Sequence, residues 1–273
     1  ECIKMKKKLI ITLLILLFIL LSTVLYNRYF ISHKIKVVEY GIIDKNIPDN
    51  FHGLKIVQYS DILYGKSATL KDINNVVKKI NELNPDIVIF TGDLFTKDIK
   101  VNTKEIEKIK KSLSNINTKY KKYAILGDND KVFKDSFYQV FNDDYEILDN
   151  EESLFYLNDE TPIRFMGISS AKKEEVIQDE ENKLYNILLI HKPDEVDNLK
   201  NKYNLIFSGH SMGGQIKFPL YGPLIKIKGA KKYTSGEYEV NNAKLYVNDG
   251  IGSQNITMRI NNHPKINLYR LYI

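Results

Sequence analysis

The chain has 273 residues, 43% hydrophobic and 27% charged, with 40 Lys and Arg against 34 Asp and Glu for a net charge of +6. This is the composition of an ordinary globular protein, long enough for one large domain or two small ones. The lone Cys2 excludes an internal disulfide and a cysteine metal cage. The positive excess is modest. Lys4, Lys6, Lys7 and Lys8 cluster ahead of an apolar run, and pairs such as Lys121-Lys122 and Lys231-Lys232 read as solvated surface. No nucleic-acid partner is expected.

Residues 9–26, LIITLLILLFILLSTVLY, carry no charge. At about 1.5 Å per residue the run reaches roughly 27 Å, close to the hydrocarbon thickness of a bilayer. Tyr26, Arg28, Tyr29 and Phe30 follow it as interface anchors. The apolar core is long for a signal peptide and no Ala-x-Ala site follows, so a retained anchor is expected. Met5 is expected to be the natural start. The division is a basic flank 1–8, a transmembrane anchor 9–26, a juxtamembrane segment 27–53 and a globular domain 54–273. The bilayer is thus an expected partner. The lysines before the span predict a single-pass cell-membrane protein with its domain outside the cytoplasm, with Arg28, Lys34 and Lys36 as opposing charges.

A short strand and loop are expected over 31–53, ending in Pro48 and Gly53. Leu54 to Tyr59 predicts a strand closed by Ser60-Asp61. Thr69 to Asn84 has apolar residues at Leu70, Ile73, Val76, Val77, Ile80 and Leu83, a helical spacing with Thr69 as cap. Ile87-Val88-Ile89-Phe90 is an unbroken apolar run, as a strand buried on both faces requires, and it ends in Thr91-Gly92-Asp93. Lys104 to Ile116 predicts a second helix. Tyr123 to Leu126 predicts a strand before Gly127-Asp128-Asn129-Asp130. A helix near 134–141 and short strands near 145–148, 154–157 and 163–167 come next, then a charged helix over 174–183. Tyr185 to Ile190 and Leu205 to Gly209 predict buried strands ending in His191 and His210. The tail reads as strands and turns, notably 244–247 and 266–272. Early alternation of strand and helix followed by strands predicts an α/β sandwich.

The predicted strands therefore end in Asp61, Asp93, Asp128, His191 and His210. Side by side, these groups converge at one sheet edge. Carboxylate with imidazole suits divalent ions such as Mn, Zn or Fe. The order of Ser60-Asp61-Ile62-Leu63, Thr91-Gly92-Asp93, Gly127-Asp128-Asn129-Asp130, His191 and Ser208-Gly209-His210-Ser211-Met212-Gly213-Gly214-Gln215 resembles the calcineurin-like metallophosphoesterases. Within them it is similar to a membrane-anchored branch with a Gly-His-x-x-Gly-Gly-Gln motif. The resemblance implies a four-layer αββα sandwich and a two-metal phosphoesterase site.

The match departs from the family where it matters. The family's Asp-x-His has Leu63 at its histidine, and its Gly-His-x-His has Met212 at the second. Asp128 stands for the family's asparagine, and Asn129 for the histidine that serves the leaving group. The resemblance thus implies that the second-metal set, Asp93, Asp128, His191 and His210, survives. The first keeps only Asp61 and the bridging Asp93. Leucine cannot ligate and a thioether prefers soft ions, so one ion rather than two is expected. The expected function is a membrane-anchored, metal-dependent hydrolase of a phosphate ester, with Asp61 and Asn129 in the catalytic positions. The substrate can be lipid-linked by virtue of location. The alternative is a catalytically degenerate scaffold of the same fold. His33, His52 and His263 read as surface residues, and Asp130 as a residue that orients Asn129 or a loop backbone.

Overall fold

The structure is a computed structural model and describes residues 2–158, 160–169, 184–218, 220–254 and 256–273. The helix expected over 174–183 lies outside these residues. The chain opens with α1 (Cys2–Tyr29). This helix is apolar on every side and its central window is 0% buried, so it is long and apolar enough to cross a membrane. A 3₁₀ turn, Ile31–His33, follows it.

In chain order come β1 (Lys36–Ile43), β2 (Lys55–Tyr59), α2 (Leu70–Glu82), β3 (Ile87–Phe90), α3 (Thr103–Leu113), β4 (Lys121–Ala124), α4 (Lys134–Phe141), β5 (Glu146–Ile147) and β6 (Glu151–Phe155). Then follow β7 (Ile163–Ile168), β8 (Tyr185–Ile190), β9 (Leu205–Ser208), the pair β10 (Lys217–Phe218) and β11 (Gly222–Pro223), β12 (Gly236–Val240), β13 (Ala243–Val247) and β14 (Lys265–Tyr272). They form two six-stranded sheets, ordered β1-β14-β2-β3-β4-β5 and β12-β13-β9-β8-β7-β6, beside the small β10-β11 ladder.

Side-chain alternation along the strands builds the layers. Ile56, Ile89 and Tyr123 of the first sheet meet Phe165, Ile187, Leu189 and Phe207 of the second. The opposite face, with Val57, Val88 and Phe90, is covered by Ile73, Val76 and Ile80 of α2, Ile109 and Leu113 of α3, and Phe137 and Phe141 of α4. On the outer face of the second sheet, Leu188, Ile190 and Leu245 pack on Val196 of the 3₁₀ helix Pro193–Asn198. Thr69 with Asp72 and Asn102 with Glu105 form capping boxes that start α2 and α3.

Residues 31–53 contribute more than a tether. β1 pairs with β14 along its whole length, Lys36 opposite Lys265 to Ile43 opposite Tyr272. Ile42, Ile47 and Phe51 are buried in the core between the sheets. β4 begins at Lys121, two residues before the expected strand, and β6 at Glu151, three before. Both starts are polar, and cross-strand pairing rather than apolar pattern extends them.

β2, β3 and β4 run parallel, so their C-terminal ends share one edge. β14 is antiparallel to β2 and parallel to β1. The start of β1, just after α1, therefore lies at that same edge.

Candidate metal centre

The loops at this edge are tight and strained. Asp61, Leu63, Asp93, His210 and Met212 all have left-handed backbone, with φ of 52°, 52°, 61°, 67° and 50°. For residues with a Cβ this costs on the order of 1–3 kcal/mol each, and such strain clusters where a site demands it. Gly92 and Gly127 let the loops after β3 and β4 touch, since a side chain on either would collide with the opposite loop. Asp130 ties the two together. Its Oδ2 accepts from the amides of Asp93 at 2.7 Å and Gly127 at 2.9 Å, and its Oδ1 accepts from Leu94 at 2.9 Å.

Ligand atoms of Asp93, His191 and His210 lie within 4.8 Å of one another, and all three residues are buried. The His191 Nδ1–H donates to the Thr91 carbonyl at 2.7 Å, and the His210 Nε2–H donates to the Lys228 carbonyl at 2.9 Å. Those bonds set both tautomers and turn the remaining lone pairs inward. His191 Nε2 faces His210 Nδ1 at 3.1 Å and Asp93 Oδ2 at 3.3 Å. A carboxylate and two imidazole nitrogens that face one another at this range are a ligand set that fits a divalent ion. Electrostatics agree. Burial pulls the His191 imidazole down, but the Asp93 and Asp61 carboxylates and the Thr91 carbonyl outweigh it and lift it to about 10. His210, pushed by burial and by His191, falls to about 4. A bound divalent ion would displace the proton on His191.

The other expected residues sit around this triad. Asp61 is fully buried; its Oδ2 accepts from Ser60 Oγ at 2.5 Å and the His210 amide at 2.9 Å. Its Oδ1 has no hydrogen-bond partner among the described residues, and burial raises its pKa. Asn129 donates through its backbone amide to Asp93 Oδ1 at 2.8 Å and through its side chain to Oδ2 at 3.0 Å. It therefore holds the Asp93 carboxylate rather than standing free. Asp128 is not among the groups within 4.8 Å of one another and pairs with Lys192 at 2.8 Å and Lys131 at 3.3 Å. Burial raises this carboxyl, but the Lys192 hydrogen bond and the charges of His191, Lys192 and Lys131 prevail and hold it at about 2.

A family model of calcineurin-like phosphoesterases matches residues 54–214. The chain belongs to that family. Relatives extend the match. YkuE of Bacillus subtilis, an uncharacterized metallophosphoesterase, is 31% identical over 261 residues, 90% of this chain and 88% of its own. A transmembrane protein with a metallophosphoesterase domain from Danio rerio is 26% identical over 252 residues, 85% of this chain and 56% of its own. LpxG of Chlamydia trachomatis, a UDP-2,3-diacylglucosamine pyrophosphatase, is 27% identical over 231 residues, 64% of this chain and 69% of its own.

The side of the site bearing Asp61 is built differently. Leu63 and Met212 are buried. The fully buried Arg259 backs them, its Nη1 donating to the Met212 carbonyl at 3.3 Å and its Nη2 lying 3.8 Å from the Met212 sulfur. Nη2 also donates to the carbonyls of Asp249 at 2.8 Å, Gly250 at 3.2 Å and Gly252 at 2.5 Å. Sequence reasoning passed over Arg259; its signal was a charge inside the apolar run Met258-Arg259-Ile260. It also passed over Lys192, which adjoins His191. His33 is more than a surface residue, since it pairs with Asp72 at 2.7 Å. A small cleft of about 160 Å³ opens beside Leu63 and Asn129, with Lys66 and Lys97 in its wall.

Proposed function

We propose that the chain is a membrane-anchored, metal-dependent phosphoesterase that holds one divalent ion, Mn, Zn or Fe, through Asp93, His191 and His210. The observation that carries this is the convergence of a carboxylate with two imidazole lone pairs whose tautomers are set by backbone carbonyls. When bound, the ion supplies Lewis-acid polarisation of a phosphoryl oxygen. Asn129 keeps Asp93 oriented, a positioning role rather than that of an acid on the leaving group. The Oδ1 of Asp61 is the acceptor free to align or deprotonate an attacking water. Lys66 and Lys97 offer positive charge to the phosphate. Asp128 joins the ligand set only by leaving Lys192 and Lys131. The lipid-linked phosphoester named for LpxG, together with the phosphodiesterase name of YaeI from Escherichia coli, supports a diester or pyrophosphate with a lipid portion. In this proposal residues 9–26 of α1 are the anchor and the domain lies outside the cytoplasm, a reading supported by the length and apolarity of α1. Protease added to intact cells should cut the domain; protection until lysis would reverse that orientation.

A second reading is a scaffold of the same fold without turnover. It is favoured by Leu63 and Met212 in place of donors and by lysines on Asp128. Elemental analysis together with turnover of an aryl phosphate ester separates the two. One ion per chain with metal-dependent turnover supports the enzyme. Turnover absent at every metal tested supports the scaffold.

A further inference from the structure

We infer that the β10–β11 hairpin and the loop beside it form a docking surface for the bilayer interface, holding the metal edge against anionic lipid headgroups. Phe218 and Leu224 are 47% and 65% exposed, Tyr221 is 91% exposed and Leu220 is fully exposed, while Ile256 on the adjoining loop is 47% exposed. Single exposed apolar residues are ordinary, but five on a hairpin and the loop bonded to it mark an interaction site. Lys226 and Lys228 follow directly, both exposed and without an ion pair among the described residues. Apolar and aromatic side chains beside lysines suit the boundary between acyl chains and anionic headgroups.

The position of the hairpin selects the occupant. Lys217 donates its amide to the Ile260 carbonyl at 3.0 Å, and Ile260 donates to Gln215 at 3.2 Å. Gln215 Nε2 donates to the Ile256 carbonyl at 2.5 Å and the Met258 carbonyl at 3.0 Å, joining the two loops. The Arg259 amide donates to Ser32 Oγ at 2.8 Å, and His263 Nδ1 donates to the Lys34 carbonyl at 3.2 Å. The hairpin is therefore bonded, through residues 256–263, to the segment by which the chain leaves α1. The membrane that receives α1 is the apolar surface within reach. The hairpin also adjoins the triad, because Lys228, which ends its basic stretch, accepts from His210. A phosphoester with its tail in the bilayer would meet the centre from this side. That consequence rests on the phosphoesterase reading, whereas the docking itself is measured without turnover.

The chain contains no tryptophan, so Tyr221→Trp in the full-length protein, reconstituted in vesicles containing anionic lipid, is a single reporter. Tyr156→Trp is the control. Tyr156 is exposed and follows the end of β6 that pairs with the start of β7, at the edge opposite the metal centre. The expected result is a blue-shifted emission for Tyr221→Trp, quenched by lipids brominated on their acyl chains, with neither effect for Tyr156→Trp. The shift should persist in nanodiscs that hold one chain each. Adding Lys226→Glu and Lys228→Glu should lower the docked population, by about fivefold per lysine removed. Emission and quenching equal at the two positions would overturn the inference. So would loss of the shift in single-chain nanodiscs, which would assign the patch to a second copy.

Discussion

The two sides of the metal edge share a backbone but differ in chemistry. On one side, Asp93, His191 and His210 face one another, each ring held by a carbonyl. On the other, Leu63 and Met212, on the loops that carry Asp61 and His210, are apolar and buried, with the Arg259 guanidinium behind Met212. Yet Leu63 and Met212 keep left-handed φ angles of 52° and 50°, matching the strain at Asp61 and Asp93. A leucine in that region is an outlier that surrounding structure must enforce. The difference teaches that loop geometry and ligand chemistry are separable. Neighbouring loops hold the geometry, so the donors can be exchanged without collapsing it.

The largest effect should come from removing donors on the intact side. Asp93→Ala and His210→Ala each break a direct ligand bond and should weaken metal binding by at least about 100-fold, beyond what loss of a merely supporting partner gives. His263→Ala should leave metal content unchanged. Equal metal in all three variants by elemental analysis would break the comparison at its stronger half.

On the other side the expected effect is on stability. Arg259→Leu leaves the buried carbonyls of Asp249 and Gly252 without a donor and takes one of several donors from those of Met212 and Gly250, a loss of roughly 3–5 kcal/mol. For a domain of this size that lowers Tm by about 10 °C, while the triad should still hold its ion. Thermal unfolding with a metal assay on the same sample checks both. A stable variant that loses its ion would mean that Arg259 belongs to the triad's side.

A gain of function sharpens the comparison further. Leu63→His with Met212→His adds two imidazoles on the loops that carry His210 and Asp61, whose Oδ1 has no hydrogen-bond partner among the described residues. The double variant should take up a second ion about 4 Å from the first, the spacing of two-metal hydrolases. Either single change should do little. Anomalous scattering counts the ions, and two ions in the unmodified chain would end the one-ion proposal.

The smallest effect provides a reference outside the metal triad. Burial alone would raise the Asp72 carboxyl, but the Thr69 hydroxyl and amide and His33 hold it below its usual 3.8. A depressed carboxylate stabilises fully above the unfolded value and loses that contribution as pH falls through the folded one. Asp72→Ala should therefore cost about 1 kcal/mol at neutral pH. The gap from wild type should shrink below pH 3.8. A gap that grows on acidification, followed by thermal melts across that range, would contradict the capping role.

Much of the molecule was legible in local pattern. The unbroken run Ile87 to Phe90 is a strand with every residue buried. The helical spacing from Leu70 to Ile80 is the face of α2 that packs on the first sheet. The strand-end carboxylates and imidazoles do gather at one edge, because parallel strands bring their C-terminal ends together. Asp130 was legible as a loop-orienting residue, and its three backbone partners bear that out.

What the sequence by itself determined is whatever depends on neighbours along the chain: the apolar helix at the N-terminus, the strand and helix periods, the caps, and the residue types at the strand ends. Only the tertiary structure decided which of those groups face one another. Asp128 turns to Lys192, a residue on the loop after β8, because two opposite charges near the surface meet more cheaply than a carboxylate enters the buried triad. Asn129 spends its amide on Asp93, across from the loop after β3. Residues 36–43, read as part of a juxtamembrane segment, become an edge strand because β14, more than 220 residues later, offers a free ladder. Arg259 is buried because carbonyls from distant loops surround its guanidinium. Each of these outcomes is a non-local pairing of charge or backbone, and no local period in a sequence records it.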